Sequence, residues 1–177
     1  MAFYEKIIAD IKSLVIQGAE NIAIAGVRAF GEKLQETQDE EKLRGFVQEL
    51  SSLRETEPAL RNALNFCMKN YKGNPAVTEE VFEYFKKSKE RIAKIGAEKI
   101  HDGMVIFTHC HASTVTAILL NAWQNGSKRF SVRNTETRPK YQGRKTAEEL
   151  AKAGIPVTHC VDSAGRVSMK EADLFLF

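Results

Sequence analysis

The sequence has no apolar run of the ~18–20 residues that cross a bilayer. Its first residues, Met1-Ala2-Phe3-Tyr4-Glu5-Lys6, carry no secretory signal pattern. Cysteine is scarce: Cys67, Cys110 and Cys160 form an odd set of three with no close pair. Such usage points to reduced thiols in a cytoplasmic protein with no membrane partner. The net charge of +3 and pI of about 8.7 are spread along the chain without Lys/Arg blocks. Nothing therefore marks an electrostatic footprint for nucleic acid. No Gly-x-Gly-x-x-Gly follows a candidate strand, which argues against a nicotinamide cofactor, and no ligand pair has zinc spacing. The expectation is a protein without cofactor or metal.

What is present is an ordinary globular composition, 43% hydrophobic and 28% charged, over 177 residues. Residues 1–101 read as an all-helical domain. Ile7, Ile8, Ile11, Leu14 and Val15 are spaced as the stripe of a first helix. Gln17-Gly18-Ala19 interrupts it, either as an interhelical turn or as a place of close approach. Ile22 to Leu34 form a second stripe, and Thr37 to Glu40 a polar break that starts a third helix. Pro58 ends that helix and opens a fourth. Its stripe includes Cys67, read as a core residue. Beyond the Lys72-Gly73-Asn74-Pro75 turn, a long helix is expected over about 78–100, with Val81, Phe82, Phe85, Ile92 and Ile95 inward.

The period changes after Asp102-Gly103. Residues 102–177 read as alternating strands and helices, hence a parallel sheet with right-handed crossovers. Strands are expected at Met104–Thr108, Lys128–Val132, Ile155–Val161 and Leu174–Phe177. A capping box, Thr146-x-x-Glu149, predicts a helix starting near Ala147. The fold class is therefore α/β: an all-helical domain followed by part of a Rossmann-like sheet with flanking helices.

The first of these strands runs into His109-Cys110-His111, and Ala112, Ser113 and Thr114 open the helix behind it. Ligands bind at this edge of α/β sheets. Free amides at a helix start favour anions, phosphate and thiolate alike. Cys110 is thus either a nucleophile or acid/base group, or an inert buried thiol. Asp162 and Arg138 fall on the same edge. Asp162 either reaches a ligand or caps Ser163, and Arg138 either contacts phosphate or pairs with Glu136 or Asp162.

Three segments carry a resemblance. Thr108-His109-Cys110-His111, Thr135-Glu136-Thr137-Arg138-Pro139 with Gln142-Gly143, and Ala153 to Val157 with Val161 to Ala164 resemble archaeal ribose-1,5-bisphosphate isomerase. That family groups with methylthioribose-1-phosphate isomerase and subunits of translation initiation factor 2B. The resemblance runs the length of the chain. It implies an aldose–ketose isomerisation of a phosphorylated ribose in AMP salvage, with Cys110 working opposite an aspartate. It implies substrate binding by Gln17, Gly18, Ala19, Glu20 and Glu57, and by Ala112, Ser113 and Thr114; Arg138 completes the candidate set.

Gln17 and Glu57 stand where the resemblance calls for arginine, removing charge-assisted phosphate contacts. The resemblance also places the catalytic aspartate after the fourth strand, beyond Phe177. The expectation is a truncated or split isomerase-family member, incomplete as a catalyst alone. The alternative is a non-catalytic, initiation-factor-like subunit that regulates or binds a phosphorylated metabolite. Either would take a phosphorylated sugar or nucleotide as ligand. Either would also have a homo-oligomer or a partner chain covering the last strand.

Overall fold

A computed structural model describes residues 3–177. Packing divides the chain into two compact units, the first ending at Lys86 and the second spanning Lys87–Phe177. The division falls inside a helix, whereas the change of sequence period lies at Asp102-Gly103.

The first unit is helical: α1 Phe3–Lys12, α2 Ala19–Glu36, α3 Glu40–Ser52, α4 Pro58–Asn70 and the first half of α5 Val77–Ala97. Its core includes Ile11, Ile22, Val27, Phe30, Leu43, Leu50, Leu60 and Leu64. α1 stops short of the expected stripe. Leu14 takes a left-handed φ of 61°. The Val15 amide then reaches back to Asp10 O (2.9 Å) and that of Leu14 to Ile11 O (3.3 Å). This crossed pair satisfies the last carbonyls and turns Val15 out to solvent. Asp39 caps α3 through the amides of Glu41 and Lys42. Pro58 occupies the first turn of α4, where its missing N–H costs nothing. α2 and α4 meet closely, because a Cβ on Gly26 would lie 2.3 Å from Leu60 Cδ1.

The second unit holds the end of α5, then β1 Val105–Thr108, α6 Ser113–Gln124, β2 Ser131–Thr135, α7 Gln142–Lys152, β3 Val157–Cys160, a 3₁₀ turn Asp162–Ala164, α8 Gly165–Met169 and β4 Leu174–Leu176. All pairings are parallel, in the order β3-β2-β1-β4. The chain moves outward from β1 through β2 to β3, then returns to the other side of β1. The order therefore reverses at β1, which makes its carboxyl end a topological switch point. Ile100, Ile106, Leu119, Val132 and Leu150 are fully buried beneath the helices. Among the described residues, no helix is long and apolar enough to cross a membrane.

Three expectations change here. Ile92 and Ile95 are 42% and 50% exposed, not inward. The late face of α5 that packs is made of small residues, Ala93, Gly96 and Ala97. A Cβ on Gly96 would come within 2.6 Å of Ile118 Cδ1, so bulk is excluded there. The second strand lies three residues later than its apolar pattern suggests. Asn134 and Thr135, polar in sequence, are buried in it with hydrogen-bond partners. Lys128 and Arg129 instead tie the connection down, Lys128 Nζ to Ala97 O (2.7 Å) and the Arg129 amide to Asp102 Oδ1 (2.6 Å). Finally, Thr146 does not cap α7. The helix begins at Gln142 and buries Thr146 in its second turn.

Candidate active site at the carboxyl edge of the sheet

β1 ends at Thr108, and two residues later Cys110 takes a left-handed φ of 66°. A non-glycine residue holds that backbone only when its surroundings over-determine it. They do so here through both of its peptide groups. The Cys110 amide donates to Thr137 Oγ1 (2.9 Å), and Thr146 Oγ1 donates to the Cys110 carbonyl (2.9 Å). The thiol points at α7, its Sγ donating to Gln142 Oε1 (3.4 Å). Cys110 is half-buried. Ala112 is the extended residue before α6, and Ser113 and Thr114 are its first two helical residues. Amides of a helix's first turn lack intrahelical acceptors and face whatever binds at its start.

The neighbouring groups are tied into a continuous polar floor. His109 Nδ1 contacts Thr135 Oγ1, and His111 Nδ1 contacts Thr146 Oγ1 at 3.0 Å. Burial is the main cause that holds the His111 imidazole below its usual pKa, helped by the charge of Lys145. Asp162 does not cap the turn that it begins. Its Oδ1 accepts the Thr137 amide and its Oδ2 the Arg138 amide, both at 2.8 Å. Those two backbone bonds, Arg138's first, lower its pKa. Arg138 Nε pairs with Glu136 Oε1 (2.7 Å), and Arg144 Nη2 lies 3.7 Å from Glu136 Oε2. The buried Glu136 thus gathers two cations, and the salt bridge with Glu136 is the arrangement Arg138 adopts.

Asp162 fixes the loop that carries Thr137, and Thr137 fixes Cys110. Because the folded pKa of Asp162 lies below the ordinary 3.8, its contribution is present above that value and is lost as pH falls through the lower one. Asp162→Asn is expected to flatten the loss of stability as pH falls below the ordinary carboxylate value of 3.8. Urea midpoints across that range check it; identical slopes in the two proteins would remove the carboxylate from this role.

The first unit, taken by itself, holds the other sequence-derived candidates. Gly18 precedes α2 with φ 87°, so it is an interhelical turn that requires a left-handed backbone. Gln17 Nε2 donates to Leu14 O (2.6 Å), and Asn21 Nδ2 donates to Gln17 O (3.0 Å). Ala19 and Glu20 begin α2. Glu57 precedes α4 and pairs with Arg54 Nη2 (3.4 Å). Arg54 was not among the sequence candidates, yet its Nη1 is buried without a hydrogen-bond partner. Gln142, Thr137 and Thr146 were also passed over as functional groups. Gln142 and Thr137 lie inside the motifs singled out above; no local signal distinguished Thr146. Cys67 is a core thiol, pushed up to about 12 by burial. Among the described residues, no group of three or more His, Cys, Asp or Glu side chains could hold a metal ion.

Residues 15–176 match the initiation factor 2 subunit family. The chain belongs to this family. It is 37% identical over 190 residues to ribose 1,5-bisphosphate isomerase of Thermococcus kodakarensis, an alignment covering 95% of this chain and 58% of that protein. The chain therefore spans little more than half the length of that relative. The structure of translation initiation factor eIF-2B from Pyrococcus horikoshii OT3 superposes with a TM-score of 0.88 at 29% identity, over 97% of this chain and 64% of that one. A subunit of the tetrameric eIF2B-beta2-delta2 complex from C. thermophilum shares the fold, with a TM-score of 0.73 at 20% identity, over 98% of this chain and 63% of that one. The chain is thus similar both to a protein named as a sugar-phosphate isomerase and to one named as a translation initiation factor.

Proposed function

We propose that this chain supplies the cysteine-bearing part of a ribose-1,5-bisphosphate isomerase site, acting in the cytoplasm on a phosphorylated ribose. The observation that carries this reading is the over-determined left-handed Cys110 at the switch point of the sheet. A 37% identical relative named for that activity supports it. Aldose–ketose isomerisation moves a proton between adjacent carbons and another between their oxygens, so it needs a pair of acid/base groups. Cys110 is one of them. The nearby carboxylates are not free for the other role: Asp162 is spent on two amides and Glu136 on Arg138 and Arg144. On this reading the acid/base partner of Cys110 is the aspartate that the family resemblance places after the fourth strand, outside these 177 residues.

On this reading Ala112, Ser113 and Thr114 offer first-turn amides to substrate. Arg138 pairs with Glu136 through Nε and remains largely exposed, so its guanidinium can meet substrate while that pair is kept. Gln17 to Glu20 lie at the turn into α2 and Glu57 at the entry to α4. Of the two groups in the Arg54–Glu57 pair, the guanidinium with its orphan nitrogen has the charge for a phosphate; the carboxylate repels one. The outer edge of β4, with Phe175 45% exposed, is covered by a second copy or another chain.

The test is an isomerisation assay with ribose 1,5-bisphosphate, on the chain alone and mixed with the product of any adjoining reading frame. Turnover only in the mixture is the expected result; turnover by the chain alone would sink the claim of an absent partner group. A second reading, a non-catalytic regulatory subunit, is favoured by the eIF-2B superposition and by Gln17 and Glu57 at the positions of expected arginines. Titration calorimetry with AMP and sugar phosphates separates them. A stable protein complex with no turnover in any mixture and no heat from sugar phosphates supports the second reading.

A further inference from the structure

Thr146 has one hydroxyl hydrogen and two polar neighbours. It lies on α7 at 1% exposure, with Oγ1 2.9 Å from the Cys110 carbonyl and 3.0 Å from His111 Nδ1. A carbonyl oxygen can only accept, so the hydroxyl proton goes to Cys110. The contact with His111 is then a hydrogen bond only if Nδ1 is the donor. In a neutral ring this leaves Nε2 unprotonated. In that tautomer Nε2 carries a lone pair and can only accept.

We propose that Thr146 is the positioning residue for the Cys110–His111 pair. Its proton holds the left-handed Cys110 peptide, and its oxygen fixes His111 with Nδ1 protonated and Nε2 bare. The tautomer assignment stands on this chain alone; the positioning role in catalysis rests on the isomerase reading above.

Several observations support the arrangement. Thr146 is buried in the second turn of α7 instead of capping it, and burial of a hydroxyl requires that its hydrogen bonds be made. A left-handed non-glycine residue needs external tethers, and Thr146 supplies the one on the carbonyl side of Cys110. A neutral histidine side chain free in water mostly carries its proton on Nε2, so the opposite tautomer reports a specific contact. Burial favours the neutral ring, the form for which the tautomer matters.

Nitrogen-15 NMR of histidine-labelled full chain tests this, with His111 identified by its loss in His111→Gln. Wild type and Thr146→Ser are expected to carry the proton on Nδ1. Thr146→Val, which keeps the shape but loses the hydroxyl, is expected to shift most of it to Nε2. Wild-type His111 protonated mainly on Nε2, or an unchanged tautomer in a folded Thr146→Val, would overturn the proposal. If Thr146→Val does not fold, wild type and Thr146→Ser still decide, because Nε2–H in either contradicts it. In an assembly that turns over, Thr146→Val is expected to lower kcat about five- to tenfold with KM little changed, and Thr146→Ser to restore it. An unaltered kcat in a folded Thr146→Val would overturn the positioning role even if the tautomer shifts. Absence of turnover in every wild-type assembly defeats the isomerase reading, and the positioning role with it, while leaving the tautomer result standing.

Discussion

Gly143→Ala is expected to destabilise the α/β unit by about 3–4 kcal/mol, a cost at the upper end for a single added methyl. A Cβ at this position would sit 1.8 Å from Thr135 O and 2.9 Å from Thr135 C. Both are backbone atoms of β2, so no side chain can swing aside. The Gly143 amide donates to Glu136 O (3.2 Å), and its carbonyl accepts from Asn134 Nδ2 (2.7 Å). The start of α7 is thus bonded to the end of β2, and retreat would break those contacts. Alanine's better helix propensity returns at most about 1 kcal/mol, too little to offset the clash. Thermal unfolding should show a fall of roughly 10 °C. Gly45→Ala is the control: Gly45 lies in α3 with nothing within 4 Å of a Cβ, and alanine there should stabilise by about 0.5–1 kcal/mol. A Gly143→Ala melt indistinguishable from wild type would mean that the β2–α7 approach is looser than described.

Cys110→Ser is expected to cut isomerisation by about 10²–10⁴-fold in any assembly that turns over, with the melting temperature little changed. Serine is close in size and keeps a donor toward Gln142, and both peptide tethers from Thr137 and Thr146 are to the backbone. The substitution therefore changes the chemistry of one atom and little of the packing. A hydroxyl gives up its proton far less readily than a thiol, which is why the loss should fall on turnover rather than on binding. Retention of full activity by Cys110→Ser would leave the cysteine a structural residue of a strained turn. The two substitutions probe different things: the first asks whether the edge of the sheet is built, the second whether its thiol does chemistry.

Much of the architecture was legible in the residues. Alternation of apolar strands with amphipathic helices requires a parallel sheet, and four parallel strands are found. Pro58, Gly18 and Asp39 mark helix boundaries by local backbone chemistry, so each was readable in place. Cys110 could be placed at a strand-to-helix junction for the same reason, and the motifs around it identified the family that the comparisons establish. Polar residues in the sheet could not be read this way. Asn134 and Thr135 look like loop residues until His159, Gly143 and His109 are brought to them from elsewhere in the chain.

Two residues show where local and tertiary information divide. Thr146 has the sequence signature of a helix cap, and Asp162 that of a cap on its own turn. Each instead spends its side chain on a segment more than twenty positions away, Thr146 on Cys110 and Asp162 on Thr137 and Arg138. A cap satisfies backbone groups one turn away, so sequence spacing predicts it. A tether across the edge of a sheet depends on which loops the strand order makes neighbours, and no local spacing encodes that. The sequence by itself determined the elements, the parallel sheet and the position of the thiol. Only the tertiary structure decided what holds that thiol, because the loop after β2 and helix α7 supply the partners and they meet it only once β1 lies beside β2.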